Sequence, residues 1–304
     1  MSLAAAGAVL LAALLDRLVG EPPARLHPVA LLGRVIDPLD RAWNSPFEMG
    51  VSIAVTLPVI VGAALGALVA VLVPLSLPVA TVVAGLVLFS STSLRMLLDE
   101  ARAVERLLGE DTDAARERLR SLAGRDSDDL DASEVRSAAI ESVAENLADG
   151  LVAPLVAFGL GALVSLPVAV GAAAFVKTVN TLDSMLGYPD KDHGTASARL
   201  DDIVMWLPAR LSALLLAVAA VDPETPWRAR SWVDRVPSPN SGWPMGTVAA
   251  ALAVRLEKPG VYILNDVAPP PEAGDVGRAV RLVSRAGWLA WIAVILLLAY
   301  AGWF

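Results

Sequence analysis

Long apolar segments without charge constrain this chain more than any other feature of its sequence. Residues 51–73 contain no charged side chain, and residues 78–94 return after a short turn bounded by Pro74 and Pro78. Because a helix rises 1.5 Å per residue, roughly 17–25 apolar residues cross the hydrocarbon core of a bilayer. The composition agrees, with 56% hydrophobic and 18% charged residues in a chain of 304, against about 25% charged in soluble domains. The sequence therefore predicts an all-α, polytopic helical membrane protein.

The remaining apolar runs extend this pattern to one membrane-embedded domain over residues 1–304. The segments expected to span the membrane or to lie buried in it are 3–19, 51–73, 78–94, 151–176, 203–221 and 286–304. The polar segments, which we expect to form the site as cytoplasmic helices and loops, are 21–48, 95–150, 177–202 and 222–285. Residues 151–176 fit either one tilted span or a hairpin broken at Pro167. Residues 203–221 either span the membrane or stop short of its far side.

Basic residues indicate the orientation of these segments. They collect in residues 21–48, 95–136 and 222–285, whereas the turn near Pro74 and both termini have almost none. The positive-inside rule therefore places the basic segments in the cytoplasm. We expect a multi-pass protein of the plasma membrane whose site faces the cytoplasm. Two complete spans over the later apolar segments would put residues 177–202 outside. On functional grounds we expect a hairpin and a non-spanning segment instead, which bring the polar segments to the cytoplasmic face.

The composition also excludes several kinds of site. The chain has no cysteine, which rules out disulfides, thiol catalysis and cysteine zinc sites. Its only histidines are His27 and His193. A net charge of −8 argues against a nucleic-acid partner, because phosphate binding needs basic patches. The chain contains no P-loop, GxGxxG turn, GxSxG elbow or HExxH motif.

Three carboxylates recur at helical spacing just before the apolar segment 151–176. Glu141, Glu145 and Asp149 lie at i, i+4 and i+8, which stacks them on one helix face, with Asn146 beside them. Like charges at this spacing destabilise a helix, so the face is either fully hydrated or binds a cation. Magnesium held by one or two carboxylates together with substrate phosphates fits this pattern best. A structural stripe without a ligand is the alternative.

A dense polar cluster follows the same apolar segment. It comprises Lys177, Asn180 and Asp183 and, after a turn rich in glycine and proline, Arg199, Asp201 and Asp202. Asn180 and Asp183 interrupt an apolar pattern, whereas the charges at 190–192 fit an ordinary solvated loop. A polar cluster at such a junction indicates a chemical site at the membrane surface.

Arg210 and the turn 238–242 complete the candidates. Arg210 lies in an apolar segment, where it is either an anchor that snorkels to the interface or an anion ligand. Ser238 and Asn240 belong to a turn whose N–H groups and hydroxyls can bind an anion. Trp243 either packs against a flat ligand or anchors the turn. The residues by themselves thus indicate a carboxylate, amide and arginine site at the cytoplasmic membrane surface.

Several separated motifs point to one family. They are HPVALLGRVI, AGRD at 123–126, AAIESVAENLADGLVAPL, KTVNTLDSMLGY, ARLDD, PAR at 208–210 and SPNSGWP. In this order the chain resembles the CobD/CbiB family of cobalamin biosynthesis, the adenosylcobinamide-phosphate synthases, from about Asp16 to the last helix. The resemblance implies an ATP-dependent carbon–nitrogen ligase that joins adenosylcobyric acid to aminopropanol or aminopropanol phosphate, with ATP and Mg²⁺ as cofactors.

The resemblance also implies roles for the candidate residues. The catalytic residues would be Glu145, Asp183 and Asp201. The magnesium ligands would be Glu141, Glu145, Asp149 and Asp183. Phosphates would be bound by Lys177, Arg199 and Arg210, and corrin amides or nucleotide by Asn146, Asn180, Ser238 and Asn240. Other membrane enzymes of the cobamide pathway are expected partners, and the family is compatible with a homo-oligomer.

An ion-coupled transporter or a membrane scaffold is the competing interpretation, because carboxylate clusters beside broken helices also occur in carriers. Carrier sites lie near the bilayer midplane, and carriers often contain internal repeats. Here the polar motifs lie at helix ends, and the sequence shows no repeat. The sequence therefore favours the ligase.

Overall fold

The computed structural model describes residues 2–20, 28–123, 128–188 and 190–302, without the side chains of Ser121 and Ala123. His27 and residues 124–126 of the AGRD motif lie outside the described residues. The helices are α1 Ser2–Leu18, α2 Pro28–Ile36, α3 Pro46–Leu75, α4 Leu77–Ser91, α5 Leu94–Leu108, α6 Thr112–Ala123, α7 Ala132–Leu147, α8 Ala153–Ala162, α9 Leu166–Leu186, α10 Thr195–Val204, α11 Trp206–Ala220, α12 Thr225–Ala229, α13 Gly242–Leu252 and α14 Asp275–Ala301. Two short strands, β1 Leu256–Lys258 and β2 Tyr262–Leu264, pair as an antiparallel hairpin.

Among the residues that the structure describes, four helical stretches are long and apolar enough to cross a membrane. They are Pro46–Leu75, Leu77–Leu108, Ala132–Ala162 and Asp275–Ala301. The helices α10 and α11 would together make a fifth, but they are bent by 47° at their junction. With 17 residues, α1 falls just short of the length required. This architecture confirms the predicted all-α, polytopic membrane class.

Contacts between residues divide the chain into two compact units. Unit 1 comprises Met1–Ser93, Ala153–Met205 and Trp291–Phe304, and unit 2 comprises Leu94–Val152 and Trp206–Ala290. The embedding of both units in the membrane as one domain stays a prediction.

In unit 1, α3 and α9 approach each other through facing glycines. A Cβ on Gly62 would lie 2.7 Å from the Gly171 carbonyl oxygen, and a Cβ on Gly171 would lie 2.9 Å from the Gly62 carbonyl oxygen. Since real Cβ atoms do not tolerate such distances, only glycine allows the two backbones to come this close. Beyond these glycines the same two helices bury Ile53 and Leu182 in an apolar core.

The predicted apolar segment 151–176 is not one helix. The chain leaves α8 at residues 163–165 and enters α9, which packs against α8. Ser165 caps α9 by accepting a hydrogen bond from the Val168 N–H at 3.3 Å, and a Cβ on Gly161 would lie 2.7 Å from the Ala169 Cα. Because α9 continues to Leu186, the polar cluster that begins at Lys177 extends from the C-terminal half of this helix.

In unit 2, α7 carries the candidate residues Glu141, Glu145 and Asn146. It begins at a capping box: the Asp131 carboxylate accepts from the N–H groups of Ser133 and Glu134, and the Glu134 carboxylate accepts from the Asp131 N–H. The regular α-helix ends at Leu147 and is followed by a π-helical turn, Ala148–Val152. Turns of this kind occur frequently at functional sites.

Candidate functional site

The first carboxylate of the α7 stripe is deeply buried. Glu141 is 3% exposed, and its two oxygens accept hydrogen bonds from Ser137 Oγ and Tyr262 Oη, both at 2.9 Å. Ser137 Oγ in turn accepts from the Glu257 N–H at 2.7 Å. Glu141 therefore attaches the β-hairpin to α7. With both oxygens occupied by protein donors, its geometry favours a positioning role over the metal role expected from the sequence.

The second carboxylate lies one helical turn further and is half-buried. Glu145 Oε1 accepts a hydrogen bond from Ser241 Oγ at 2.6 Å, which joins α7 to the turn before α13. The neighbouring amide, Asn146 Nδ2, donates to the Ser142 carbonyl oxygen of its own helix at 2.9 Å. Glu145 thus contacts the SPNSGWP motif directly.

The Ser238 side chain stabilises that turn through hydrogen bonds to its backbone. Its Oγ accepts hydrogen bonds from the N–H groups of Asn240 and Ser241, both at 3.3 Å. A Cβ on Gly242 would lie 2.7 Å from the Val233 carbonyl oxygen, so the chain needs glycine where α13 begins. Because the Ser238 hydroxyl already satisfies two of the N–H groups expected to bind an anion, Ser238 acts on the shape of the turn.

Arg210 of α11 is held against the same turn by neutral groups. Its Nη1 donates to Asn240 Oδ1 at 2.6 Å and to the Trp206 carbonyl oxygen at 3.0 Å, and its Nη2 donates to the Pro239 carbonyl oxygen at 3.4 Å. The guanidinium carbon lies 4.7 Å from the ring centre of Trp206 and 5.2 Å from that of Trp243. Within the described ranges no carboxylate forms an ion pair with Arg210. Arg210 is thus a positioned cation with neutral partners, and the Trp206 indole beside it is 56% exposed. This arrangement suits an anionic ligand with a flat group.

The expected magnesium ligands do not make a preformed cage. Among the residues that the structure describes, no group of three or more histidine, aspartate or glutamate side chains is arranged to hold a metal ion. Glu141, Glu145 and Asp149 belong to unit 2 and Asp183 belongs to unit 1. Asp149 lies in the π-helical turn, where the regular α7 spacing has ended. Magnesium binding by one or two of these carboxylates together with substrate phosphates and water stays a prediction.

In unit 1, Asp183 stands at the end of α9. A Cβ on Gly187 would lie 2.0 Å from Asp183 Oδ1, so the carboxylate occupies space that only glycine leaves open. Asn180, one turn earlier, accepts a hydrogen bond from Ser184 Oγ on its carbonyl oxygen at 2.9 Å. Its side chain and that of Lys177 are half-buried.

The α10 candidates lie in a more exposed setting. The Arg199 side chain is 78% exposed and lies 3.8 Å from the Asp202 carboxylate. This is the geometry of a solvated ion pair, and it favours that role over the phosphate contact expected for Arg199. Asp201, the neighbouring carboxylate on the same helix, is half-buried.

Ion pairs hold the loop after α9 against another segment of unit 1. Lys191 Nζ donates to Asp40 Oδ2 at 2.6 Å and to the Met185 carbonyl oxygen at 3.0 Å, and His193 Nε2 lies 3.3 Å from Asp40 Oδ1. The hydrogen bond from Lys191 holds the pKa of Asp40 below its ordinary value. A Cβ on Gly50 would lie 2.2 Å from the His193 carbonyl oxygen. The charges expected in a free, solvated loop are therefore partly structural.

Sequence reasoning missed three residues of the unit 2 site. Ser241 lies inside the SPNSGWP motif but was not distinguished from its neighbours, and Trp206 was not connected with Arg210 four residues away. Tyr262 is separated from Glu141 by 121 residues, and no local pattern could have paired them. The structure brings together Glu145, Arg210, Ser238 and Asn240 in unit 2. It places Lys177, Asn180, Asp183, Arg199 and Asp201 in unit 1.

Comparison with known proteins gives one consistent result. The family model described as CobD/Cbib protein matches residues 9–290. The chain is 37% identical over 304 residues to the probable cobalamin biosynthesis protein CobD of Methanothrix thermoacetophila, covering 95% of this chain and 96% of the relative. It is 35% identical to the cobalamin biosynthesis protein CobD of Dehalococcoides mccartyi, with 94% of each chain covered. Against the protein of that name from Klebsiella pneumoniae it is 38% identical, covering 94% and 93%. No solved structure matches the chain.

Proposed function

This chain belongs to the CobD/CbiB family, and we propose that it catalyses an ATP-dependent amide-forming step of cobalamin biosynthesis. The reaction joins the carboxylate of adenosylcobyric acid to the amine of aminopropanol or aminopropanol phosphate. The protein would then be an adenosylcobinamide-phosphate synthase, a ligase of the carbon–nitrogen class. Family membership supports the pathway, and the site in unit 2 supports the kind of chemistry.

One observation in the structure carries the chemical part of the proposal. Arg210 is a cation whose hydrogen bonds all go to neutral oxygens, and it stands between two indole rings. A guanidinium carries five donors in a planar fork, and in a partly buried setting it gains most from an anionic partner. A reaction that joins a carboxylate to an amine with the help of ATP supplies such partners in the substrate carboxylate and the phosphates.

The chain's own residues have distinct tasks in this proposal. When bound, ATP and Mg²⁺ supply the activating group for the substrate carboxylate, and charge neutralisation is the main requirement placed on the protein. Arg210 binds an anionic group, and Asn240, fixed by its bond to Arg210, presents an amide to the same ligand. Glu145 orients the Ser241 hydroxyl and offers a carboxylate oxygen to a cation. Glu141 keeps the β-hairpin attached to α7.

The proposal also gives roles to the candidate residues of unit 1 and a location to the polar segments. Asp183 and Asp201 are the candidate carboxylates of unit 1, and the amide of Asn180 is a candidate contact for the corrin. We place the polar segments in the cytoplasm, because the basic residues collect there by the positive-inside rule. Substrates of this size and polarity reach the protein from that side, and other membrane enzymes of the pathway are its expected partners.

Turnover by the purified protein in detergent tests the proposal. Adenosylcobyric acid, ATP, magnesium and aminopropanol or its phosphate should give the amide, identified by its mass, and omission of any one reactant should abolish it. Release of ADP would indicate an acyl phosphate intermediate, and release of AMP an acyl adenylate. A protein that gives no amide but moves corrinoid across proteoliposome membranes without nucleotide would instead be a transporter.

A further inference from the structure

A second polar site lies inside unit 1, at the middle of α9. Lys177 stands about halfway along this 21-residue helix and lines a cavity of about 80 Å³ together with residues of α2, α3 and α4. Val61 and Leu65 of the charge-free segment of α3 form part of the wall. An ionisable side chain that lines a cavity among apolar helices is costly to keep charged, and it is therefore a candidate for a functional site.

The polar wall of the cavity consists of hydroxyl groups. Thr178 Oγ1 donates to the Ala174 carbonyl oxygen at 2.8 Å, and Ser90 and Ser91 Oγ both donate to the Val87 carbonyl oxygen, at 2.9 and 2.8 Å. A hydroxyl that donates its proton to its own helix retains lone pairs, so these oxygens offer acceptors to a ligand. The cavity thus combines one cation with several acceptors. This combination suits a ligand that carries both an anionic group and hydrogen-bond donors.

The size of the cavity limits what it can hold. At about 15 Å³ of such volume per water molecule, it has room for roughly five waters. A single phosphate or carboxylate on a short aliphatic chain fits, whereas a nucleotide or a corrin ring does not. Lys177 is therefore poorly placed for the triphosphate of ATP, which was its expected ligand. A lysine ammonium has three donors, so an internal partner and a ligand oxygen can share it.

We propose that the Lys177 cavity binds the small amine substrate in its phosphorylated form. Lys177 donates to the phosphate, and the hydroxyl oxygens of Ser90, Ser91 and Thr178 accept from the ammonium end. The aliphatic part lies against Val61 and Leu65. This inference rests on the proposed amide-forming reaction and names the residue that distinguishes aminopropanol phosphate from free aminopropanol. The phosphate of a lipid headgroup is the other source of the same chemistry.

Binding and kinetics of two matched lysine variants test the assignment. Lys177→Met removes the charge inside the cavity, and Lys258→Met makes the same change on β1 in unit 2, where the side chain lines no part of the cavity. Stabilisation of the wild-type protein by aminopropanol phosphate in thermal melts should exceed that by free aminopropanol. Lys177→Met should reduce this preference about 10- to 100-fold in apparent affinity, the usual range for losing a hydrogen bond to a charged group. Lys258→Met should leave it unchanged.

Steady-state kinetics give the second readout. In Lys177→Met the KM for aminopropanol phosphate should rise, while the KM values for ATP, for the corrin acid and for free aminopropanol stay at wild-type levels. Thr178→Val keeps the side-chain volume and removes one acceptor, so it should give a smaller change in the same direction. An equal loss for both amines, or a loss confined to ATP, would overturn the assignment.

Two further arms separate the alternatives. If anionic lipid vesicles stabilise the wild type but not Lys177→Met, and the preference between the amines is unchanged, the cavity binds a lipid phosphate and the inference is wrong. If the wild type makes no amide from either amine, the proposed function fails. The thermal melts with aminopropanol phosphate then still decide whether Lys177 binds it. Loss of folding in Lys177→Met would appear as a lower melting temperature without ligand, and Thr178→Val would then carry the test.

Discussion

Two regions of the molecule carry an arginine that the sequence analysis assigned to phosphate binding, and the structure gives these arginines different surroundings. Arg210 in unit 2 is half-buried, makes hydrogen bonds only to neutral oxygens and lies between two tryptophans. Arg199 in unit 1 has a side chain that is 78% exposed and pairs with Asp202. An arginine held in place but not neutralised can bind a ligand anion, whereas one that is solvated and paired with a carboxylate has little to gain. Partners and burial, rather than residue type, therefore distinguish a binding cation from a surface cation.

The largest expected effect comes from removing the two arginine charges separately. Arg210→Met should lower kcat/KM for the proposed reaction about 10- to 100-fold, because it removes charge-assisted hydrogen bonds to a ligand. Arg199→Met, the same change at the exposed site, should lower kcat/KM less than about twofold, since an exposed ion pair contributes little. Kinetics with each substrate varied in turn will measure both. Equal losses in the two variants would break the comparison, and melting temperatures in detergent will show whether either variant is merely unfolded.

A smaller effect should separate the two carboxylates of α7 in the same way. Glu145→Gln should reduce activity and weaken its magnesium dependence by about tenfold, since it removes one of the few carboxylate oxygens available to a cation, and it should leave the melting temperature near the wild-type value. Glu141→Gln should lower the melting temperature, because its new amide cannot accept from both Ser137 and Tyr262 and a buried mismatch costs about 1–3 kcal/mol.

Tyr262→Phe is the matched control for Glu141. It removes a single donor to the same carboxylate and should cost about 1 kcal/mol of stability without a change in kcat. If Glu145→Gln instead lowers the melting temperature and keeps full activity, the α7 stripe is structural throughout.

The smallest effect concerns the ion pairs of unit 1. The hydrogen bond from Lys191 lowers the pKa of Asp40 from its ordinary value of 3.8. A carboxyl whose pKa is lower in the folded state stabilises the fold above its unfolded pKa and loses this contribution as the pH falls through its folded pKa. Asp40→Asn should therefore cost less than about 1 kcal/mol near neutral pH, discounted for its exposure, and nothing at a pH well below 3.8.

Melting temperatures of the wild type and of Asp40→Asn across this pH range test the last expectation. The gap between the two proteins should close in acid. A gap that persists below the folded pKa of Asp40 would mean that the side chain acts through packing rather than through its charge. The explanation by charge that is given for the ion pair of Arg199 would then not apply to Asp40.

Local sequence patterns were enough to predict the class of the molecule and to identify candidate site residues. Charge-free stretches such as 51–73 have no alternative to burial in a membrane or a core, and helices satisfy their own backbone hydrogen bonds, so the all-α membrane class follows from local composition. The end of α9 near Gly187 was also readable, because turn residues act within a few positions. Glu145, Arg210, Ser238 and Asn240 were identified as candidates because each interrupts a local pattern or lies in a recognisable motif.

Tertiary packing determines which candidates lie together and which partners each one has. Glu145 and Ser241 are 96 residues apart and Glu141 and Tyr262 are 121 apart, and no periodicity extends over such separations. Residues of the same type therefore differ in their burial and partners. Glu141 accepts hydrogen bonds inside the protein, whereas Glu145 contacts the turn before α13. Arg210 has neutral partners, whereas Arg199 pairs with Asp202. The physical reason is that the free energy of a charge depends on its solvation and its neighbours, and both are set by how distant segments pack.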